Sequence, residues 1–223
     1  MILVTGASRG IGRAIYDELG KEYKVVGLAT KEDKSKSIYG CDISKIDSLK
    51  KISNSIKNID TKLSAIINVA GVASMNLALA TPESKVRKII ETNLLGTIFV
   101  NQVFAPFLIR NGSGRIINFS TLAVNLAIKG EAVYIASKAG VEGFSRALAK
   151  ELSPFNITVN CIAPGPIRTD LLKGITDKQI DNIVKQQSFP KVMSPRNVVD
   201  QVKLILSKEA NYTTGEVFSV GGA

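Results

Sequence analysis

The sequence opens with MILVTGASRGIG (residues 1–12), a short apolar stretch that runs directly into a turn rich in glycine. Residues 2–4 predict a strand, and the turn carries glycine at positions 6, 10 and 12. A helical spacing of apolar residues follows at Ile11, Ala14, Ile15 and Leu19. Glycine lets the backbone turn tightly and lets a ligand approach, and a helix N-terminus offers unpaired N–H groups. The stretch therefore predicts a diphosphate site, although an ordinary strand-to-helix loop can share this pattern.

The composition is that of one soluble α/β domain. The chain has 223 residues, of which 45% are apolar, and no apolar run approaches the ~18 residues of a membrane helix. Its N-terminus lacks the features of a signal peptide, so we expect a cytoplasmic protein with no membrane partner. The two cysteines, Cys41 and Cys161, are then expected to be reduced structural thiols.

The charged residues restrict the chemistry. Histidine is absent, which removes Ser-His and Cys-His catalysis and most zinc sites, so no metal is expected. Acid–base work must then use Tyr, Lys, Asp, Glu or Cys. The net charge of +10 favours an acidic partner or a lysine-rich solvated surface in equal measure. Nucleic acid is not expected as a partner, because basic and aromatic residues do not cluster.

Strand and helix patterns alternate along the whole chain. Beyond the first strand, apolar runs at 24–29, 38–43, 63–69, 115–119, 157–162 and 216–220 predict six more strands. The chain between 30 and 37 is long enough only for a loop or one helical turn. We predict a single domain over residues 1–223, a doubly wound Rossmann-type parallel sheet of about seven strands with helices on both faces. A polar, less regular segment at about 168–193 is expected to cover the substrate.

Ligands of such sheets bind at the carboxyl ends of the strands. The residues expected to gather there are Gly6, Asp42, Asn68 to Gly71, Ser120, Thr121 and Pro164 to Ile167.

A second informative stretch is Tyr134-Ile-Ala-Ser-Lys138, inside a predicted helix at 131–152. Residues four apart share a helix face, so the Tyr134 hydroxyl and the Lys138 ammonium can lie side by side. A nearby ammonium lowers the pKa of a phenol, which makes the pair a plausible proton donor to a carbonyl oxygen. This spacing alone also arises by chance.

Together these motifs resemble the short-chain dehydrogenase/reductase family. Within it, the stretches at 25–30, 164–172 and 214–222 are most similar to the bacterial 3-oxoacyl-[acyl-carrier-protein] reductases. The resemblance runs the full length of the chain and rests on Thr5 to Gly12, Asp42, Asn68 to Gly71, Asn93, Thr121, Tyr134, Lys138, Pro164-Gly165 and Gly221-Gly222.

The resemblance implies four catalytic residues. Tyr134 would be the general acid that protonates the substrate oxygen as hydride arrives from the nicotinamide. Lys138 would lower the Tyr134 pKa and bind the nicotinamide ribose, and Asn93 would hold a water in a relay to Lys138. Thr121 stands where the family usually has a serine that orients the carbonyl. Ser120 is the alternative donor, and strand alternation favours Thr121.

The resemblance and the residues together predict NADP(H) as cofactor. An NAD enzyme of this type usually has an acidic residue at the end of the second strand, where this chain has Ala29-Thr30-Lys31. Arg9 in the glycine turn can bind phosphate oxygens, and Val69 replaces an asparagine usual in the family. The residues expected to bind the cofactor are Gly6, Ser8, Arg9, Gly10, Ile11, Gly12, Thr30, Asp42, Ile43, Val69, Ala70, Gly71, Tyr134, Lys138, Pro164, Gly165 and Ile167.

The expected activity is reduction of a small-molecule carbonyl substrate, foremost a 3-oxoacyl thioester of fatty-acid synthesis with acyl carrier protein as a partner. The alternatives are a reductase of another small ketone, aldehyde or sugar, and a non-catalytic NADP-binding scaffold or sensor. Small residues at Ala136, Gly140, Gly143 and Ala147 form a stripe on the 131–152 helix. The stripe packs on the chain's own sheet or, as the resemblance implies, against a second copy in a dimer or tetramer.

Overall fold

Seven short parallel strands form the centre of the computed structural model, which describes residues 1–57, 62–169 and 176–222. They are β1 (Ile2–Thr5), β2 (Val25–Ala29), β3 (Ile38–Gly40), β4 (Ala65–Asn68), β5 (Gly114–Phe119), β6 (Ile157–Pro164) and β7 (Val217–Val220). The sheet order is β3-β2-β1-β4-β5-β6-β7, and every neighbouring pair is parallel. The strand order reverses beside β1, so the carboxyl ends of β1 and β4 flank a crevice of the kind that binds ligands. The predicted fold class is confirmed.

Helices cover both faces of the sheet. They are α1 (Gly10–Leu19), α2 (Ile46–Lys57), α3 (Glu83–Ile90), α4 (Gly96–Asn111), α5 (Ala123–Leu126), α6 (Ala132–Leu152), α7 (Asp177–Val184) and α8 (Pro195–Leu206). One core contains buried residues of α2, α4 and α6, and the other contains those of α1 and α8. Leu3 belongs to the first core, whereas Ile2 and Val4 belong to the second. This alternation is what a strand buried on both faces requires.

The helical stretch Glu83–Asn111 is irregular between Asn93 and Gly96. A π-helical segment, Glu91–Leu95, joins α3 to α4 there. By length and composition this stretch could cross a membrane, since an 18-residue window within it has a mean hydropathy of 1.4. Val100, Phe104 and Leu108 are fully buried against the sheet, however, as in the core helix of a soluble protein.

The end of the third strand differs from the sequence prediction. Strand β3 ends at Gly40 rather than at 43, because the chain turns where Ser44 donates two hydrogen bonds to the Asp42 carboxylate. The apolar spacing Ile46, Leu49, Ile52, Ile56 and Ile59 predicts the helix α2, and Ile59 lies outside the described residues. The connection from β2 to β3 holds only a 3-10 turn, Lys34–Lys36, as expected.

The segment at 168–193 is more regular than predicted. It contains α7, whose N-terminus is closed by reciprocal hydrogen bonds between Thr176 and Gln179, and which buries Ile180 and Val184. The Thr-x-x-Gln capping box was a readable signal for this helix. Residues 170–175 lie outside the described part of the chain.

Candidate active site

The glycine turn after β1 has a shape that side chains would prevent. Gly6 and Gly10 have φ of +70° and +57°, a left-handed conformation that favours glycine. A Cβ on Gly12 would lie 2.3 Å from the Gly6 carbonyl oxygen. The turn can therefore close tightly under the first turn of α1, whose free N–H groups face the cleft. This cradle fits a diphosphate, so the residues present fit a dinucleotide cofactor.

A single cleft runs from this turn to Tyr134 along the carboxyl ends of the strands. All seventeen residues expected to bind the cofactor line it. Thr121 and Ser120 also line it. Four charged or hydroxyl-bearing residues of the cleft were missed by sequence reasoning, and they are Lys88, Thr92, Glu131 and Thr169. Glu131 could have been found, because it precedes Tyr134 by one helical turn, whereas no local pattern marks Lys88.

The far end of the cleft carries Thr30 and Asp42. Burial would raise the pKa of Asp42, but the hydrogen bonds from Ser44 outweigh it and hold the pKa below its ordinary value. The Asp33 carboxylate accepts hydrogen bonds from the Ser35 N–H and hydroxyl. Thr30 itself is exposed and uncharged. The end of β2 therefore presents a hydroxyl rather than a carboxylate to the cleft.

Tyr134 lies on the first turns of α6 and is buried. Its hydroxyl is hydrogen-bonded with that of Thr121, which also accepts a hydrogen bond from the Ala123 N–H at 3.2 Å. Burial raises the pKa of Tyr134 well above its ordinary value, and the Glu131 carboxylate raises it further, while the hydrogen bond with Thr121 lowers it. The phenol is therefore protonated at neutral pH.

Ser120 points elsewhere. Its hydroxyl donates to Glu142 Oε1 on α6 at 2.6 Å, and its N–H donates to the Ile162 carbonyl of β6. Of the two adjacent hydroxyls, only that of Thr121 is paired with Tyr134 in this structure. Both residues lie beyond the end of β5 at Phe119, so their different directions come from these contacts rather than from strand alternation.

Lys138 is buried one helical turn beyond Tyr134. Its Nζ donates to the Phe119 carbonyl oxygen at the end of β5, at 2.7 Å. Burial lowers the pKa of Lys138 to about 8. Lys138 is not among the groups that shift the Tyr134 pKa in this structure, so its expected lowering of that pKa stays a prediction.

Asn93 lies behind the cleft wall rather than on it. Its side chain accepts from the Val72 N–H at 2.8 Å and donates to the Val72 carbonyl and to the Ser137 hydroxyl. Both amide hydrogens are thus in use, and the residue is fully buried. Asn93 holds the loop at Val72 in place, and a relay water would have to use a remaining lone pair of Oδ1 or of the main-chain carbonyl, which already accepts from the Thr97 hydroxyl.

Comparison with known proteins agrees with this geometry. The sequence model of a family described as enoyl-(acyl carrier protein) reductase matches residues 6–222. The 3-oxoacyl-[acyl-carrier-protein] reductase of Salmonella typhimurium is 34% identical over 99% of this chain and 95% of its own length. A 4-hydroxyisoleucine dehydrogenase mutant complexed with NADH and succinate superposes with a TM-score of 0.90, at 25% identity, over 99% of this chain and 97% of its own. ElxO with NADP bound gives a TM-score of 0.89 at 26% identity, with 98% and 96% coverage.

Proposed function

Because the chain belongs to the short-chain dehydrogenase/reductase family, we propose that it reduces a 3-oxoacyl thioester to the 3-hydroxyacyl thioester with NADPH. It is an oxidoreductase, and its nicotinamide cofactor supplies hydride when bound. The observation that carries the proposal is the pairing of the Tyr134 and Thr121 hydroxyls in the cleft that begins at the glycine turn.

The two hydroxyls provide the proton chemistry. A substrate carbonyl oxygen placed between them can accept one hydrogen bond from Thr121 and one from Tyr134. Negative charge develops on that oxygen during reduction, and preorganised donors stabilise such charge strongly. Tyr134 then gives up its proton to the oxygen. The Lys138 ammonium, one helical turn away, stabilises the phenolate that remains.

The cofactor would lie with its diphosphate on the glycine turn and its nicotinamide ribose at Tyr134 and Lys138. NADP(H) is preferred over NAD(H) in this proposal. Arg9 and Thr30 support it, since a guanidinium and a hydroxyl can bind a 2′-phosphate that a carboxylate would repel. Asn93 keeps the wall beside Lys138 in place.

The Salmonella typhimurium relative is named for its action on 3-oxoacyl-[acyl-carrier-protein]. The net charge of +10 on the present chain suits an acidic carrier protein. We therefore include acyl carrier protein as a partner, in the cytoplasm, where the free buried thiols Cys41 and Cys161 stay reduced. A homo-oligomer through α6 is part of the proposal. Ala136, Gly143 and Ala147 face solvent rather than the sheet, and nothing lies within 4 Å of a Cβ built on Gly143.

The test is NADPH oxidation with acetoacetyl thioesters of acyl carrier protein and of coenzyme A. Wild-type protein should turn both over, and Tyr134→Phe should lose about 100- to 10,000-fold in kcat, the usual contribution of a general acid. NADPH binding, followed by its fluorescence, should be unchanged in that variant. A crotonyl thioester belongs in the panel, because the matching family model is described as an enoyl reductase.

Each other outcome points to a different function. Turnover of crotonyl thioester alone would make the protein an enoyl reductase. Turnover of simple ketones or sugars but not of thioesters would favour a different carbonyl reductase. NADPH binding with no turnover of any carbonyl would favour a scaffold or sensor.

A further inference from the structure

Glu131 is an acidic side chain in the wall of the cleft that the proposed chemistry does not use. It immediately precedes α6, where its N–H donates to the Ile128 carbonyl and its own carbonyl accepts from the Ile135 N–H at 2.7 Å. These bonds fix its backbone against the start of the helix. Its side chain lines the same cleft as Tyr134 and Thr121.

The Glu131 carboxylate has no compensating charge. No hydrogen bond or ion pair to it occurs within residues 1–57, 62–169 and 176–222. Two cations that line the cleft act elsewhere, since the Lys138 ammonium donates to the Phe119 carbonyl and Lys88 lowers the pKa of Asp42. Burial raises the pKa of Glu131, as expected for a carboxyl that lacks a partner.

A second cavity is lined by the two residues that precede Glu131 in the chain. That cavity, of about 620 Å³, begins at Lys129 and Gly130 and extends to α7. Its walls include the carboxamides of Asn76, Gln179, Asn182 and Gln186, and of the residues that line it only Lys129 is charged. Along the chain, Glu131 therefore lies between the residues that line this cavity and Tyr134.

We propose that Glu131 is a specificity-determining residue that excludes substrates carrying a negative charge next to the reacting carbonyl and admits uncharged esters, thioesters and amides. This inference rests on the proposed carbonyl reduction. A free 3-oxo acid would bring its carboxylate close to that of Glu131, at the start of α6. Without Glu131, the partial positive charge of this helix N-terminus would attract such an anion.

The test compares two probes of nearly the same shape, neutral acetoacetamide and anionic acetoacetate. Two like charges held about 7 Å apart in a partly wet cleft repel enough to weaken binding by about 50-fold. Wild-type protein should therefore favour acetoacetamide by roughly that factor in kcat/KM, mainly through KM. Glu131→Gln keeps the shape and removes the charge, so the preference should shrink to about 3-fold or less.

Two further variants separate charge from structure. Glu131→Asp retains the charge and should retain most of the preference, whereas Glu151→Gln, at the exposed far end of α6, should behave as wild type. The same ratios are also measured as dissociation constants by ligand-observed NMR on the NADP⁺-loaded protein, in which no reduction occurs. This arm does not depend on turnover.

The two readouts distinguish the possible failures. If neither probe nor any thioester is reduced but Glu131→Gln still equalises the two dissociation constants, the proposed function fails and the charge selection stands. If Glu131→Gln keeps the wild-type ratio, or if acetoacetamide does not bind the loaded protein, the inference about Glu131 is overturned.

Discussion

Replacing Lys138 by methionine should show how much the buried Lys138 ammonium lowers the free energy of unfolding. Methionine has a similar length and no charge, so Lys138→Met serves as the reference for wild type. The pKa of Lys138 is lowered by burial from 10.5 to about 8. The difference in free energy of unfolding between wild type and variant is therefore expected to depend on pH.

The sign follows from proton binding. Between pH 8 and pH 10.5 the unfolded chain holds the Lys138 proton and the folded protein does not, so raising the pH favours the folded state. Below pH 8 both states are protonated, and wild type bears the whole penalty of a buried charge. One pKa unit corresponds to about 1.4 kcal/mol, and the full shift to about 3 kcal/mol. Wild type should thus gain about 2 to 3 kcal/mol relative to Lys138→Met between pH 7 and pH 10.

The assay is equilibrium unfolding in urea, followed by circular dichroism at four pH values and one protein concentration. Lys150→Met is the matched control, since Lys150 is exposed on the same helix, and its difference from wild type should stay flat. A wild-type-minus-Lys138→Met difference that is also flat from pH 7 to pH 10 would refute the reasoning, because it would mean that burial does not disfavour the ammonium.

Three further predictions concern the reaction and its cofactor. The kcat/KM for carbonyl reduction should fall as pH rises through about 8, because Lys138 loses its proton while the raised pKa of Tyr134 keeps the phenol protonated; a flat profile to pH 10 would contradict this. Arg9→Ala should raise the dissociation constant for NADPH by about 10- to 100-fold, as expected for a lost charge-assisted hydrogen bond, and change that for NADH by less than about 3-fold. Equal losses for both nucleotides would argue against a 2′-phosphate contact. Gly12→Ala places a methyl 2.3 Å from the Gly6 carbonyl oxygen, so the turn must open; a melting temperature and NADPH affinity equal to those of wild type would show that the turn is not tight.

The fold was predictable because its signals are local and repeat along the chain. Each buried strand is a nearly continuous apolar run, and the glycine turn lies at the start of the first βα unit. Strand ends were less predictable. The sequence favoured a strand to position 43, whereas the Asp42 side chain bends the chain by binding Ser44. At such points a short polar side chain can hydrogen-bond to nearby backbone groups in place of the hydrogen bonds between strands. The pattern of apolar residues in the sequence does not show where this happens.

The cleft was predictable to the extent that its residues end strands or open helices. Lys88 was missed because it comes from α3, and only the packing of that helix brings it to the cleft. The hydrogen-bond partners of Asn93 also could not be predicted from the sequence. The π-helical segment turns its amide toward Val72 and Ser137, and neither contact follows from spacing along the chain.

The choice between Ser120 and Thr121 shows how buried polar contacts position a reactive group. Ser120 is held on both sides, by Glu142 through its hydroxyl and by β6 through its N–H. With that residue fixed, the next side chain must point into the cleft, where the Thr121 hydroxyl accepts from the Ala123 N–H and pairs with Tyr134. Threonine also has fewer accessible rotamers than serine, which further restricts this hydroxyl. The hydrogen bonds of Ser120 therefore fix the backbone that positions the Thr121 hydroxyl. The methyl group of Thr121 reduces the space in the cleft that is left for a substrate.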